Sequence, residues 1–261
     1  MTRAGTATEA ARMSTSEPDL TGRVALITGA ANGMGAATSA RLAGLGATVV
    51  GVDVNDAAGA QVFAALGAPH RYRHHDVTDA DAWTALVAAV VADHGRLDIV
   101  HLNAGVMSRP TSAPAFDDPL AWFHPAAYRK VMGVNADGAA YGIMAALAVM
   151  TTGARIVVTA SAAGLKPLLI DPTYAASKYA LVGLVRSLAP TLAARGIGID
   201  AICPGGVDTA IVPEDLRRQR GDAFAPPSYI ADAVVTVLGH GLPGGIWLAY
   251  GVATGVVRQP D

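Results

Sequence analysis

The sequence of 261 residues has one cysteine, few aromatics (5%) and little charge (15%), and each shortage excludes something. A lone Cys203 cannot build an intrachain disulfide framework and fits a reducing compartment. It stands inside an apolar run and reads as an inert buried thiol. No apolar run approaches the roughly 18 residues that span a bilayer, so no membrane partner is expected. The formal charge is −2 with no basic stripe, which argues against nucleic acid as a partner. The one basic cluster, Arg217-Arg218-Gln219-Arg220, reads as a solvated helix face. Residues 1–20 lack the apolar centre of a secretory signal. They read as a mobile arm, with Met13 an alternative start, and a cytoplasmic location is expected. His74, His75 and His101 fall on predicted strands without zinc-like spacing, so no metal is expected.

What the sequence does have is apolar residues, 52% of the chain, which suits a sheet buried on both faces. Strands are predicted over 23–28, 48–53, 71–77, 97–103, 154–160, 198–203 and 245–250. Helices are predicted over 33–45, up to Leu66, over 79–94, in one long stretch over 125–150, and over 174–194. This alternation predicts an α/β fold, a doubly wound parallel sheet of about seven strands flanked by helices on both faces. No linker divides 21–261, which reads as one domain. Two stretches break the rhythm: 106–124, with Pro110, Pro114 and Pro119, and 207–227, with Pro213, Pro226 and Pro227. Both leave the carboxyl ends of strands, the edge where open α/β sheets bind ligands.

The first strand ends in Thr28-Gly29-Ala30-Ala31-Asn32-Gly33-Met34-Gly35 and leads into a helix. Glycines here permit a tight turn and let a pyrophosphate approach a helix N-terminus. An ordinary glycine-rich turn would look the same, but Asp53 ends the second strand. A carboxylate there can accept both ribose hydroxyls of an adenosine and repels a 2′-phosphate. Asn32 and Val54 beside it are neutral, so NAD is expected rather than NADP.

Tyr174 and Lys178 are i and i+4 on a predicted helix and share a face. The ammonium should favour phenolate and pull the tyrosine below its usual pKa of about 10. Such pairs also occur by chance on surface helices.

Taken together, the motifs resemble those of the short-chain dehydrogenase/reductase family over nearly everything after Leu20. The glycine motif is Thr28, Gly29, Gly33 and Gly35. An adenine-contacting Asp is matched by Asp76, followed by Val77. An Asn-Asn-Ala-Gly motif appears as Leu102-Asn103-Ala104-Gly105, with its first Asn replaced. Asn135, Ser161, Tyr174 and Lys178 match the active-site residues, Pro204-Gly205 the turn after the sixth strand, and Thr209 a nicotinamide-amide contact. Asn32, Met34 and Val207 belong to the same expected cofactor surface. Departures are Asp200 in place of an Asn, Tyr250-Gly251 in place of an Asp-Gly-Gly ending, and a longer loop after Gly105.

The resemblance implies a Rossmann-type fold and an NAD(H)-dependent oxidoreductase interconverting a secondary alcohol and a ketone. Tyr174 would exchange the alcohol proton, Lys178 would tune it and hold the nicotinamide ribose, Ser161 would hold the substrate oxygen, and Asn135 would position a water. It also implies a homo-oligomer, a tetramer or dimer. Val106, Met107, Leu165, Leu168, Leu169, Val207 and Ile211 suggest an apolar pocket, to which Trp122 and Phe123 could add, and hence a lipophilic small-molecule substrate. The alternatives are an NADP-dependent 3-oxoacyl reductase of lipid synthesis and a non-catalytic dinucleotide-binding module.

Overall fold

Short apolar runs become strands here because both faces of the sheet are covered. The computed structural model describes residues 17–240 and 244–259; the arm expected at 1–20 lies outside the described residues up to residue 16. Its strands are β1 (Val24–Thr28), β2 (Thr48–Asp53), β3 (Arg71–His74), β4 (Ile99–Leu102), β5 (Arg155–Thr159), β6 (Gly198–Pro204), β7 (Ile246–Ala249) and β8 (Val256–Arg258). They form one sheet in the order β3-β2-β1-β4-β5-β6-β7-β8. All pairings are parallel except β7 with β8. Every residue of β1 and β6 is buried, as a central strand requires. The expected doubly wound α/β sheet is therefore present, with an eighth, antiparallel strand that the alternation of elements did not announce.

The helices are α1 (Gly33–Gly44), α2 (Asp56–Leu66), α3 (Ala80–His94), α4 (Pro125–Met132), α5 (Gly138–Leu147), α6 (Pro172–Ala193), α7 (Glu214–Arg220) and α8 (Pro227–Gly239). Their ends follow local chemistry. Asp79 caps α3 by accepting from Asp81 N and Ala82 N, and Gly95 ends it in the left-handed region at φ 77°. Asp171 caps α6 and Pro172 occupies its first turn, where a missing N–H costs nothing.

The long helix expected over 125–150 is interrupted. Between α4 and α5, Gly133–Asp137 form a π turn, in which the Gly138 N–H reaches back to the Gly133 carbonyl. The stretch 207–227 is also less irregular than expected, since it contains α7. That short helix carries the basic cluster, and Arg217 pairs with Asp208 at 2.8 Å.

One hydrophobic cluster, including Trp83, Ile156 and Leu181, packs against α3, α5 and α6. The other, including Ile27, Phe63 and Ile230, packs against α1, α2 and α8. The Asp200 departure is explained here. Its buried carboxylate accepts from Arg155 Nη2 (2.8 Å), Gly245 N (2.8 Å) and Trp247 Nε1 (3.0 Å), fixing β7 beside β6. No helix among the described residues is long and apolar enough to cross a membrane.

Candidate active site

Strand order reverses between β1 and β4, and a cavity of about 790 Å³ opens at their carboxyl ends. One end of it is built by the glycine turn. Gly29 has φ 65°, and a Cβ there would come 3.0 Å from Ala104 Cα. A Cβ on Gly35 would fall 2.0 Å from the Gly29 carbonyl oxygen, so only glycine lets α1 pack this close to β1. Gly33 faces Thr209 across the cavity, 3.2 Å separating the Thr209 methyl from a Cβ on the glycine. Asn32 precedes α1 without a side-chain cap bond, leaving the first amide donors for an anionic ligand.

Asn32, Met34 and Asp53 wall this end, with Val54 beside them. Asp53 accepts from Ala31 N at 3.1 Å and from Asn55 N at 3.0 Å, which fixes the carboxylate on the turn. Asp76 and Val77 line the next part of the wall. Hydrogen bonds from the Thr78 N–H and hydroxyl hold the Asp76 carboxyl below its ordinary pKa. Asn103, Ala104 and Gly105 follow β4 and line the floor. Thr28 lies beneath it, its Oγ1 accepting from Asn103 N (2.9 Å) and Ala104 N (3.0 Å), so it splices the two strand ends.

Tyr174 and Lys178 line the far end. The Lys178 Nζ lies 5.5 Å from the Tyr174 ring centroid and donates to the Thr159 carbonyl at 2.8 Å. Ser161, between β5 and α6, stands near enough to the Tyr174 phenol to influence it and accepts from Ala163 N at 3.1 Å. The expected depression of the phenol is not found. Burial pushes Tyr174 up to about 12, with Ser161 opposing and Asp171 reinforcing the rise. Burial likewise brings Lys178 down to about 8. In each case the loss of hydration disfavours the charged form.

Asn135 sits on the π turn with both ends of its carboxamide occupied. Oδ1 accepts from Val106 N (2.8 Å), and Nδ2 donates to the Val106 carbonyl (3.0 Å) and to Ser177 Oγ (2.9 Å). A Cβ on Gly105 would be 3.5 Å from both Asn135 Oδ1 and Lys178 Nζ, so both groups border this glycine.

Pro204, Gly205 and Val207 are not among the residues that wall the cavity. Gly205 allows the Tyr250 backbone to approach, with a Cβ 2.9 Å from the Tyr250 carbonyl oxygen. Val207 is buried in the core and bridges to Ala225. Of the apolar residues expected to line a substrate pocket, Val106 and Ile211 do. Leu169 is instead 81% exposed and Phe123 56% exposed, because their loops turn them outward. Cys203 is buried, and burial raises its thiol to about 11, an inert state.

Sequence reasoning missed four contributors. Arg129 and Lys130 on α4 add positive charge to the cavity wall. Buried Arg109 organises the loop 106–124, donating to the carbonyls of Pro114, Ala115 (2.8 Å) and Ile170 (3.3 Å). Backbone acceptors leave no trace in sequence. Asp171, held between this loop and Tyr174, was signalled by the Asp-Pro step that opens α6.

Comparison with known proteins agrees with this fold. The family model described as short chain dehydrogenase matches residues 23–220. The chain is 38% identical over 202 residues to (+)-borneol dehydrogenase 1 of Salvia officinalis, covering 77% of this chain and 75% of that one. It is 37% identical over 224 residues to cis-4-hydroxycyclohexanecarboxylate dehydrogenase of Sinomonas cyclohexanicum, covering 81% and 87%. A dehydrogenase/reductase from Sinorhizobium meliloti 1021 superposes with TM-score 0.79 at 30% identity, covering 91% of this chain and 97% of that one.

Proposed function

The chain belongs to the short-chain dehydrogenase/reductase family and is an oxidoreductase; from that premise we propose that it interconverts a lipophilic secondary alcohol and its ketone with NAD(H). One observation carries the reading. A single cavity runs from the glycine turn and Asp53 at one end to Tyr174 and Lys178 at the other. The residues fit a nicotinamide dinucleotide, since the glycines keep open a cradle that a Cβ would fill. Asp53, with neutral Asn32 and Val54 around it, favours ribose hydroxyls over a 2′-phosphate.

The dinucleotide, when bound, supplies the hydride acceptor or donor. The rest falls to side chains of this chain. Ser161 holds the substrate oxygen, and Tyr174 Oη takes the alcohol proton or returns it to the carbonyl oxygen. Lys178 holds positive charge beneath that oxygen, and Asn135 keeps the loop after β4 against the catalytic helix. The relatives named for borneol and a hydroxycyclohexanecarboxylate support a ring-borne secondary alcohol as substrate.

A panel of ring alcohols assayed with NAD+ and NADP+ tests the reading. Tyr174→Phe should abolish turnover and leave NADH binding, followed by fluorescence, near the parent value. Substantial turnover in that variant would sink the acid–base assignment. We also propose a homodimer or homotetramer through α5 and α6, where Met144 is 67% and Tyr179 45% exposed. Light scattering would decide it, and a monomer at assay concentration would overturn it.

A further inference from the structure

The phenol of Tyr174 can act only if the first turn of α6 stands still, and the structure shows what holds it. Asp171, 1% exposed, is the N-cap residue of α6. One carboxylate oxygen accepts from the Tyr174 backbone N–H at 2.9 Å, the N3 position that a capping side chain reaches. The other accepts from the Ser108 N–H at 2.8 Å, in the loop that follows β4. A cap alone needs one acceptor, and here the second is spent on a loop residue 63 positions away.

The loop grips the same tyrosine from its other side. Val106 is bonded to Asn135, Asn135 Nδ2 donates to Ser177 Oγ at 2.9 Å, and Ser177 Oγ donates to the Tyr174 carbonyl at 2.7 Å. Arg109 reinforces the first route by donating to the Ile170 carbonyl, next to Asp171. The loop in turn joins α7, where Asp215 Oδ2 accepts from Ala115 N (2.9 Å) and the Thr111 carbonyl from Glu214 N (2.9 Å).

We propose that Asp171 is a positioning residue, fastening the loop after β4 to the first turn of α6 and so fixing where the Tyr174 phenol stands. The inference rests on the acid–base role given to Tyr174 above. It also has an electrostatic side. Asp171 is the negative charge that disfavours phenolate, whereas Lys178 on the same helix is the positive one. Cys203 on β6 is held neutral by burial, and Ser161 is uncharged. α4 contributes Arg129 and Lys130 to the same cavity wall, and the loop contributes Arg109 close to Asp171.

Two variants separate positioning from simple capping. Asp171→Ser keeps an acceptor for the Tyr174 N–H and has none for Ser108; Asp171→Asn removes the charge at nearly constant shape. Both should fold and bind NADH as the parent does. Both should lose kcat/KM for alcohol oxidation by on the order of tenfold to a hundredfold. In both, the acid limb of the oxidation profile should move to lower pH, because phenolate forms more easily without the neighbouring charge. Parent-like kinetics and an unmoved limb in Asp171→Ser would reduce Asp171 to a helix cap and overturn the proposal. Should both variants misfold, amide exchange in the parent holoenzyme still decides. The Ser108 N–H should exchange as slowly as the amides of α6, and exchange at the rate of a free loop would overturn the tether. Turnover retained in Tyr174→Phe would instead sink the acid–base reading, and the exchange measurement does not depend on it.

Discussion

Asn135 holds both backbone groups of Val106, accepting from its N–H at 2.8 Å and donating to its carbonyl at 3.0 Å. The residue is 1% exposed, so water cannot replace these bonds. Asn135→Ala should therefore cost about 2–3 kcal/mol and lower the Tm by about 5–10 °C, measured by thermal unfolding. Turnover should fall further than stability alone accounts for, since the loop and Ser177 lose their common anchor. An unchanged Tm would show that the two groups find other partners.

Lys178→Met tests the buried charge. Native Lys178 is brought down to about 8 from an ordinary 10.5, so below pH 8 the folded state carries a charge it holds reluctantly. Between pH 8 and 10.5 the native group is neutral while the unfolded one remains protonated. That contribution therefore turns more favourable to folding as pH rises through this window. The variant should unfold at higher temperature than the parent near pH 7, by up to about 3 kcal/mol less the lost bond to Thr159. The advantage should shrink as pH rises through the window. Its oxidation rate should drop on the order of a hundredfold to a thousandfold, the usual scale for a lost charge-stabilising group. A stability difference independent of pH would contradict the assignment.

Asp53→Ala removes the carboxylate proposed to face the ribose. NADP+ turnover should rise and NAD+ turnover fall, narrowing the preference by at least about tenfold, or 1.4 kcal/mol. Steady-state kinetics with both cofactors reads this directly. A preference for NADP+ in the parent would reverse the cofactor proposal.

These residues differ in how far the sequence announced them. β2 was legible to its ends, since Thr48–Asp53 is a β-branched run closed by a charge. β3 ends at His74, three residues before the expected end, because Asp76 turns away to bond Thr78. β8 escaped notice because three residues carry no period and its partner, β7, is needed to define it. The motif residues could be placed by order and spacing. The pKa of Tyr174 could not, as it depends on how deeply the phenol is buried. Arg109 was invisible for a related reason, its partners being carbonyls that any residue supplies.

Asp200→Ala probes the position where this chain departs from the family pattern. The substitution would leave Arg155, whose side chain is 13% exposed, without its carboxylate. It would also leave Gly245 N and Trp247 Nε1 without an acceptor. Breaking such a buried pair should cost about 3–5 kcal/mol, seen as a lower denaturant midpoint with unchanged slope. A midpoint close to that of the parent would mean that β7 is held by its strand pairing alone.

The π turn at Gly133–Asp137 puts the two halves of one rod out of phase. An ordinary helix advances about 100° per residue, so one extra residue in a turn rotates everything beyond it by that amount. The rod can thus present Arg129, Lys130 and Val134 to the cavity while Gly142 and Ile143 are buried on the core side. Deleting a single residue from this turn would restore a regular helix and swing one of these two faces out of alignment. A continuous helix of the same composition could serve the cavity or the core, but not both.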